Sequence, residues 1–232
     1  MLQGDEAKTL RWINGFKELS PAEIRRASSH CRWRWYKQDE RIVSQEDKTN
    51  DVFFIVQGRV RITNYSAAGK EVSFREMGVG EIFGELAAID GLPRSASAIA
   101  LSDTLLASMS AQTYWQMLQD YPALTADCLK RLARLVRALS DRVVEFATLP
   151  VRERIYAELL RLAVQKADKP DVWEIDRMPT HAELASRVAT HREAVTRVLH
   201  RLEVDGTVRR QGKRLILSDI IGLRQRLLEE GE

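Results

Sequence analysis

A chain of 232 residues, 44% apolar and 30% charged, is long enough for one large or two ordinary domains, and its composition is neither disordered nor fibrous. Its 36 basic and 33 acidic residues leave a formal charge of only +3, which neither demands nor excludes nucleic acid, so local charge has to decide. Cys31 and Cys128 are too far apart for a CxxC-type metal motif and fit free thiols in a reducing compartment. The start MLQGDEAKTL lacks the basic and apolar regions of a signal peptide, and no apolar run approaches the ~18 residues of a membrane span. The expectation is a cytoplasmic protein with no membrane segment and no metal.

In chain order, residues 31 to about 109 alternate polar and apolar side chains. CRWRWY, DVFFIVQGRVRITN and SASAIALSDTLLASM have the period-two pattern of strands. Gly58, Gly69, Gly78, Gly80, Gly84 and Gly91 punctuate them as turn residues, which predicts a compact barrel or roll. Within this region FGELAAIDGLPRSASA sets Glu85 and Arg94 among small and apolar neighbours. The two are either a salt bridge or two halves of a ligand cradle.

Helical periodicity follows. Ser110 is placed to cap AQTYWQMLQ, and Pro122 suits the first turn of a helix running to about Ala147, about 39 Å long. Leu129, Leu132, Val136, Leu139, Val143 and Phe146 recur at alternating steps of three and four, the spacing of a coiled-coil seam. The helix either packs on its own domain or pairs in a parallel homodimer, and the strict alternation favours the dimer. Pro150 should end it near Thr148, and VRERIYAELLRLAVQ starts a new helix at once, leaving a short corner suited to a hinge.

Two T-x-x-E capping boxes follow ten residues apart, Thr180–Glu183 and Thr190–Glu193. They predict helices from about His181 to Val188 and from His191 to about Val204, and RRQGKRLIL then reads as a hairpin before a closing helix. This is the pattern of a winged helix-turn-helix. Residues 187–214 carry eight basic side chains (Arg187, Arg192, Arg197, Arg201, Arg209, Arg210, Lys213 and Arg214) against Glu193, Glu203 and Asp205. Such a concentration suits phosphate binding. Arg192, Glu193, Thr196, Arg197, His200 and Arg201 share the outer face of the second helix. Glu193 and Arg197 are either a surface ion pair, which would contribute only about 0.3–0.5 kcal/mol, or base-reading groups. No nucleophile–base pair, metal cluster or phosphate-transfer loop points to an enzyme.

From about residue 15 to residue 220 the chain resembles the CRP/FNR family of bacterial regulators, and LSDRVVEFATLPVRERIYAELLRLA is similar to its rhizobial, cyclic-AMP-dependent Clr-type members. The resemblance implies an α+β fold. Residues 1–121 would form a cyclic-nucleotide-binding β-roll, 122–148 a dimerisation helix, and 149–232 a winged helix-turn-helix. FGELA followed by PRSA resembles the phosphate cassette of cyclic-nucleotide domains. Gly84 would allow close approach of the ligand, Glu85 would accept from a ribose 2′-hydroxyl, and Arg94 and Ser95 would hold the cyclic phosphate. The amides from Glu85 through Leu86 and Ala87 to Ala88 would complete the anion site. The purine would meet Leu139 and Ser140. Leu139 stands where cyclic-AMP receptors of the family carry threonine, which leaves cyclic GMP or a 2′,3′-isomer open, while the Clr-type resemblance favours cyclic AMP as the expected ligand. Relatives that sense haem, a redox cluster or another metabolite keep the same roll, as do ligand-independent ones. Two scattered cysteines cannot hold an iron–sulfur cluster, and the adjacent His30 and Cys31 are either haem ligands or an ordinary histidine beside a strand cysteine.

By the same resemblance RExxxR, here Arg192, Glu193 and Arg197, reads a palindromic GTGA-type site in double-stranded DNA. Thr180, His181 and His191 would lie near phosphates, and Thr196, Arg210 and Lys213 join the same interface. Ala189 replaces a frequent glycine, at about 1 kcal/mol if the backbone there is left-handed. QKADKPDVW, residues 165–173, is either an ordinary surface loop or, by resemblance, a contact for RNA polymerase.

Overall fold

The computed structural model describes residues 10–65, 71–166 and 169–228. The chain divides into two compact units, Met1–Val136 and Arg137–Glu232.

The first unit opens with two short 3-10 turns and helix α1 (Pro21–Ser29). Ser20 caps α1 in a reciprocal box with Glu23, and Pro21 stands at its first position. Eight strands follow: β1 (Arg32–Tyr36), β2 (Arg41–Val43), β3 (Val52–Gln57), β4 (Val60–Tyr65), β5 (Glu71–Met77), β6 (Ile82–Phe83), β7 (Ser97–Ala100) and β8 (Thr104–Met109). They form two antiparallel four-stranded sheets, β1-β8-β3-β6 and β2-β7-β4-β5, the expected roll.

β3 explains why VFFIV is continuously apolar rather than alternating. Val52, Phe54 and Val56 face one core with Leu10, Phe16 and Tyr114, while Phe53 and Ile55 face a second with Val60, Ala98 and Leu106. A strand buried on both faces has no solvent side to mark with polar residues. Gly58 turns the chain into β4 at φ +87°, where an added Cβ would lie 2.4 Å from the Thr104 hydroxyl. Gly69 lies outside the described residues. β2 and β5, which the alternation did not single out, complete the second sheet.

Helix α2 (Glu85–Asp90) lies between β6 and β7, and α3 (Ala111–Asp120) follows β8 with the Ser110 hydroxyl accepting from the Thr113 amide. The Trp115 indole donates to the Ala88 carbonyl at 2.9 Å and ties α3 to α2. Helix α4 runs Pro122–Thr148, as the periodicity predicts. Leu124 and Cys128 enter the first unit's core and Leu132 packs against it. Of the predicted stripe, Leu129, Val136, Leu139, Val143 and Phe146 remain exposed on the chain.

The second unit contains the end of α4, α5 (Val151–Leu162), β9 (Val164–Lys166), β10 (Lys169–Ile175), α6 (His181–Arg187), α7 (Arg192–Val204), β11 (Val208–Gln211), β12 (Arg214–Leu217) and α8 (Ile220–Leu228). Ile155, Leu159, Leu184, Val195, Leu199, Leu202 and Leu215 form its core.

Two expectations change here. The segment 165–173 is largely strand rather than loop, apart from Ala167 and Asp168, which lie outside the described residues. The wing hairpin therefore belongs to a four-stranded sheet, β11-β12-β10-β9. Trp173 and Ile175 pair with Leu217 and Leu215 of β12, a partner too distant in sequence for the polar stretch to reveal. The second capping box also does not form. α7 is capped by His191, without a side-chain bond, so Glu193 stands one position too early for the reciprocal contact. The cause lies in the turn, where Ala189 adopts φ +51° and the Thr190 amide bonds back to the Ala185 carbonyl at 2.9 Å.

Candidate ligand cradle and nucleic-acid interface

The cradle is built where β6 ends. Gly84 caps α2 in a left-handed conformation at φ +83°. A Cβ there would fall 2.7 Å from Arg94 Nη1 and 2.9 Å from the Asp51 carbonyl, so glycine is required by both backbone and space. Gly91 closes α2, its amide returning to the Ala87 carbonyl.

Arg94 is only 2% exposed. Its Nε donates to Thr49 Oγ1 at 3.1 Å, Nη1 to the Gly84 carbonyl at 3.0 Å and Nη2 to the Asp51 carbonyl at 2.8 Å. The guanidinium carbon lies 5.5 Å from the centre of the Phe53 ring, which stacks on Phe83. The loop before β3 also grips the Arg94 backbone: its amide donates to the Asp47 carbonyl, and its carbonyl accepts from the Glu46 amide. Among the described residues no carboxylate pairs with Arg94, and every hydrogen-bond acceptor of its side chain is neutral. Burial lowers its pKa, opposed by the charges of Asp51, Asp47 and Glu85. A buried cation without a counter-ion is costly.

Glu85 does not pair with Arg94. Its carboxylate lies 3.7 Å from Arg131 of α4, and Arg131 also meets Asp127 at 3.2 Å and the Tyr114 hydroxyl at 3.4 Å. Burial raises the Glu85 pKa above the ordinary carboxylate value, and the Arg131 charge holds it down in part. The structure thus gathers Gly84, Glu85, half-buried Leu86, buried Ala87, Arg94 and exposed Ser95 into one segment. Leu139 and Ser140 are exposed positions of α4 within the second unit. Thr49, Asp51, Phe53 and Arg131 were not anticipated. Asp51 and Phe53 belong to DVFFIVQGRVRITN, which read only as a strand, and Thr49 and Arg131 lie in no motif that points to a ligand.

Cys31 donates its thiol to the Ala27 carbonyl, and burial pushes its pKa up to about 12.

In the second unit Thr180 caps α6 in the predicted box with Glu183. His181 Nδ1 lies 2.8 Å from Thr196 Oγ1, and Nε2 lies 3.3 Å from Arg210 Nη2. Arg210 also pairs with Glu203 at 3.3 Å. On α7, Arg192, Glu193 and Arg197 are exposed, and among the described residues their side chains make no ion pair or hydrogen bond. The expected alternative, a Glu193–Arg197 surface pair, is therefore not formed. His191 and Lys213 are likewise exposed.

The corner at Pro150 is braced by charge. The Glu158 carboxylate, 2% exposed, meets Arg142 at 2.8 Å and Arg187 at 3.4 Å, and also pairs with Arg161. Arg161 and Arg142 in turn engage Glu145. One buried carboxylate therefore joins the end of α4 to α5 and to α6.

A cyclic nucleotide-binding domain profile matches residues 33–121, and a Crp-like helix-turn-helix domain profile matches residues 153–226. The cyclic AMP receptor protein of Thermus thermophilus is 32% identical over 84% of this chain and 87% of its own. This chain belongs to the CRP/FNR family of transcription regulators. The cAMP-activated global transcriptional regulator CRP of Salmonella typhimurium, another relative, is 29% identical over 82% of this chain and 90% of its own. A mutant of CooA from Carboxydothermus hydrogenoformans has the same CRP/FNR fold, with a TM-score of 0.75, 19% identity and coverage of 87% and 89% of the two chains. The cradle from Gly84 to Ser95 lies inside the nucleotide-binding match. The candidate DNA contacts from Thr180 to Lys213 lie inside the helix-turn-helix match. No helix among the described residues is long and apolar enough to cross a membrane.

Proposed function

We propose that this chain is a cyclic-AMP-responsive, homodimeric transcription regulator that binds a palindromic GTGA-type site. The observation that carries the ligand half is Arg94, a buried guanidinium held by neutral acceptors. Three of its five N–H groups fix its position, and its charge is left for an anion. The cyclic phosphate supplies that anion, with Ser95 and the amides of Leu86 and Ala87 as further donors. Glu85, 3.7 Å from Arg131, accepts from the ribose 2′-hydroxyl. Leu139 and Ser140 face the purine, so discrimination between cyclic AMP and cyclic GMP falls on these two residues.

The apolar stripe Leu129, Val136, Leu139, Val143 and Phe146, 43–67% exposed on the single chain, is assigned to a parallel pairing of two α4 helices. In that dimer, residues 1–121 are the sensor, 122–148 the dimerisation helix and 149–232 the DNA-binding domain. Two α7 helices then enter successive major grooves about 34 Å apart. Arg192 and Arg197 donate to guanines and Glu193 accepts from the base opposite. Thr180, His181, His191, Thr196, Arg210 and Lys213 fix the backbone register. The β9–β10 segment is assigned to RNA polymerase, in the cytoplasm where transcription takes place. The ligand acts only through its higher affinity for the DNA-ready arrangement, a tenfold preference corresponding to about 1.4 kcal/mol.

The deciding experiment measures affinity for a GTGA palindrome without nucleotide, with cyclic AMP and with cyclic GMP. Tightening by cyclic AMP above that by cyclic GMP is expected. Affinity unmoved by either nucleotide overturns the sensor reading, and equal affinity for scrambled duplex overturns the site.

A further inference from the structure

His181 sits between two groups whose chemistry fixes its proton. Arginine has no acceptor, so at 3.3 Å from Arg210 Nη2 the Nε2 atom accepts and carries no hydrogen. Thr196 spends its only hydroxyl hydrogen on the Arg192 carbonyl at 3.0 Å, so Nδ1–H must donate to Thr196 Oγ1. Both neighbours demand the same neutral tautomer. A second proton, on Nε2, would break the Arg210 bond and bring two cations together.

From these contacts, and resting on the DNA-binding reading above, we propose that His181 is a proton-linked latch on the wing: neutral when it holds Arg210, protonated when Arg210 and His181 both engage backbone phosphate. Arg210 is held by His181 of α6 and by Glu203 of α7. A phosphate arriving at this corner competes with both. It accepts from the Arg210 guanidinium and stabilises a charge on the imidazole, so binding draws in a proton.

The charged groups facing His181 are Arg210 of β11 and Arg192 and Glu203 of α7. Burial lowers the His181 pKa below 6.5, the two arginine charges lower it further, and Glu203 opposes them. The free chain therefore carries the neutral form at pH 7. Duplex affinity rises as pH falls through the value of the bound imidazole, and the gain levels off below that of the free chain. The limit is about tenfold per pH unit for each His181 that takes up a proton. His181 is thus a positioning residue for Arg210 as well as a phosphate contact.

The test uses the full chain with saturating cyclic AMP and a labelled GTGA palindrome, followed by anisotropy between about pH 6 and pH 8. Wild type should tighten as pH falls, whereas His181→Gln should bind with a flat profile. Imidazole resonances of the free chain should report the Nδ1–H tautomer, and Arg210→Ala should move the His181 titration upward without DNA present. A flat wild-type profile, or a slope that survives in His181→Gln, overturns the latch while leaving DNA binding intact. Failure of wild type to bind any duplex at any pH overturns the DNA reading and the latch with it.

Discussion

Glu85 pairs with Arg131 of the long helix at 3.7 Å rather than with Arg94, nine residues along its own segment. Burial raises the Glu85 pKa above 4.5 and Arg131 restrains the rise. In the proposed cradle a ribose hydroxyl donates to the ionised form, so cyclic-AMP affinity should fall as pH drops through this raised value. Arg131→Met should move that fall to higher pH. For folding the direction is the opposite of an ordinary ion-paired carboxylate: protonation favours the native state, and stability is lost as pH rises from 4.5 through the folded value. Calorimetric titration of cyclic AMP across pH checks the affinity profile in both proteins.

Arg94→Lys keeps a charge but cannot hold Thr49, Gly84 and Asp51 at once while facing a phosphate. Two charge-assisted hydrogen bonds are at stake, at about 1.5–3 kcal/mol each. Cyclic-AMP affinity should fall at least about 100-fold, with the fold retained by circular dichroism. Undiminished affinity would remove Arg94 from the phosphate site.

Arg197 is exposed on α7 and its side chain has no partner among the described residues. Arg197→Ala should weaken the preference for GTGA over a substituted half-site by about 1–3 kcal/mol, measured by competition. An equal loss on random duplex would make it a phosphate contact instead.

Ala189 holds φ +51° in the helix-turn-helix turn, where its Cβ is strained. Ala189→Gly should relieve that strain and stabilise the second unit by about 0.5–1 kcal/mol after the greater freedom of unfolded glycine is set against it. Thermal unfolding should show a raised midpoint, with unchanged sequence preference in DNA binding.

Glu158→Gln leaves Arg142, Arg161 and Arg187 gathered around a neutral amide. Breaking a buried ionic cluster on one side costs about 3–5 kcal/mol. Unfolding by urea should lose that stability in the second unit, and proteolysis near Pro150 should accelerate as the corner loosens.

The local features of this chain were legible in its sequence. Ser110 and Thr180 cap helices, α4 runs from Pro122 to the corner at Pro150, and the stripe on α4 and the basic face of α7 lie where periodicity places them. Each depends on residues within a turn or two of each other, and caps, breakers and repeat spacing act at that range. The Thr190 box failed because a left-handed Ala189 displaced the helix start by one residue, a backbone choice with no side-chain signature. Tertiary structure alone decided that Glu85 faces Arg131, that Thr49 and Asp51 hold Arg94, and that β10 pairs with β12. It also decided that Glu158 gathers three arginines and that His181 bridges Thr196 and Arg210. These are contacts between elements distant in the chain, and a charged or polar side chain carries no record of its partner until packing brings the two together. In segment 83–98, sequence alone placed Glu85 and Arg94 together, and the fold gave Glu85 to Arg131 and left the Arg94 guanidinium with neutral acceptors.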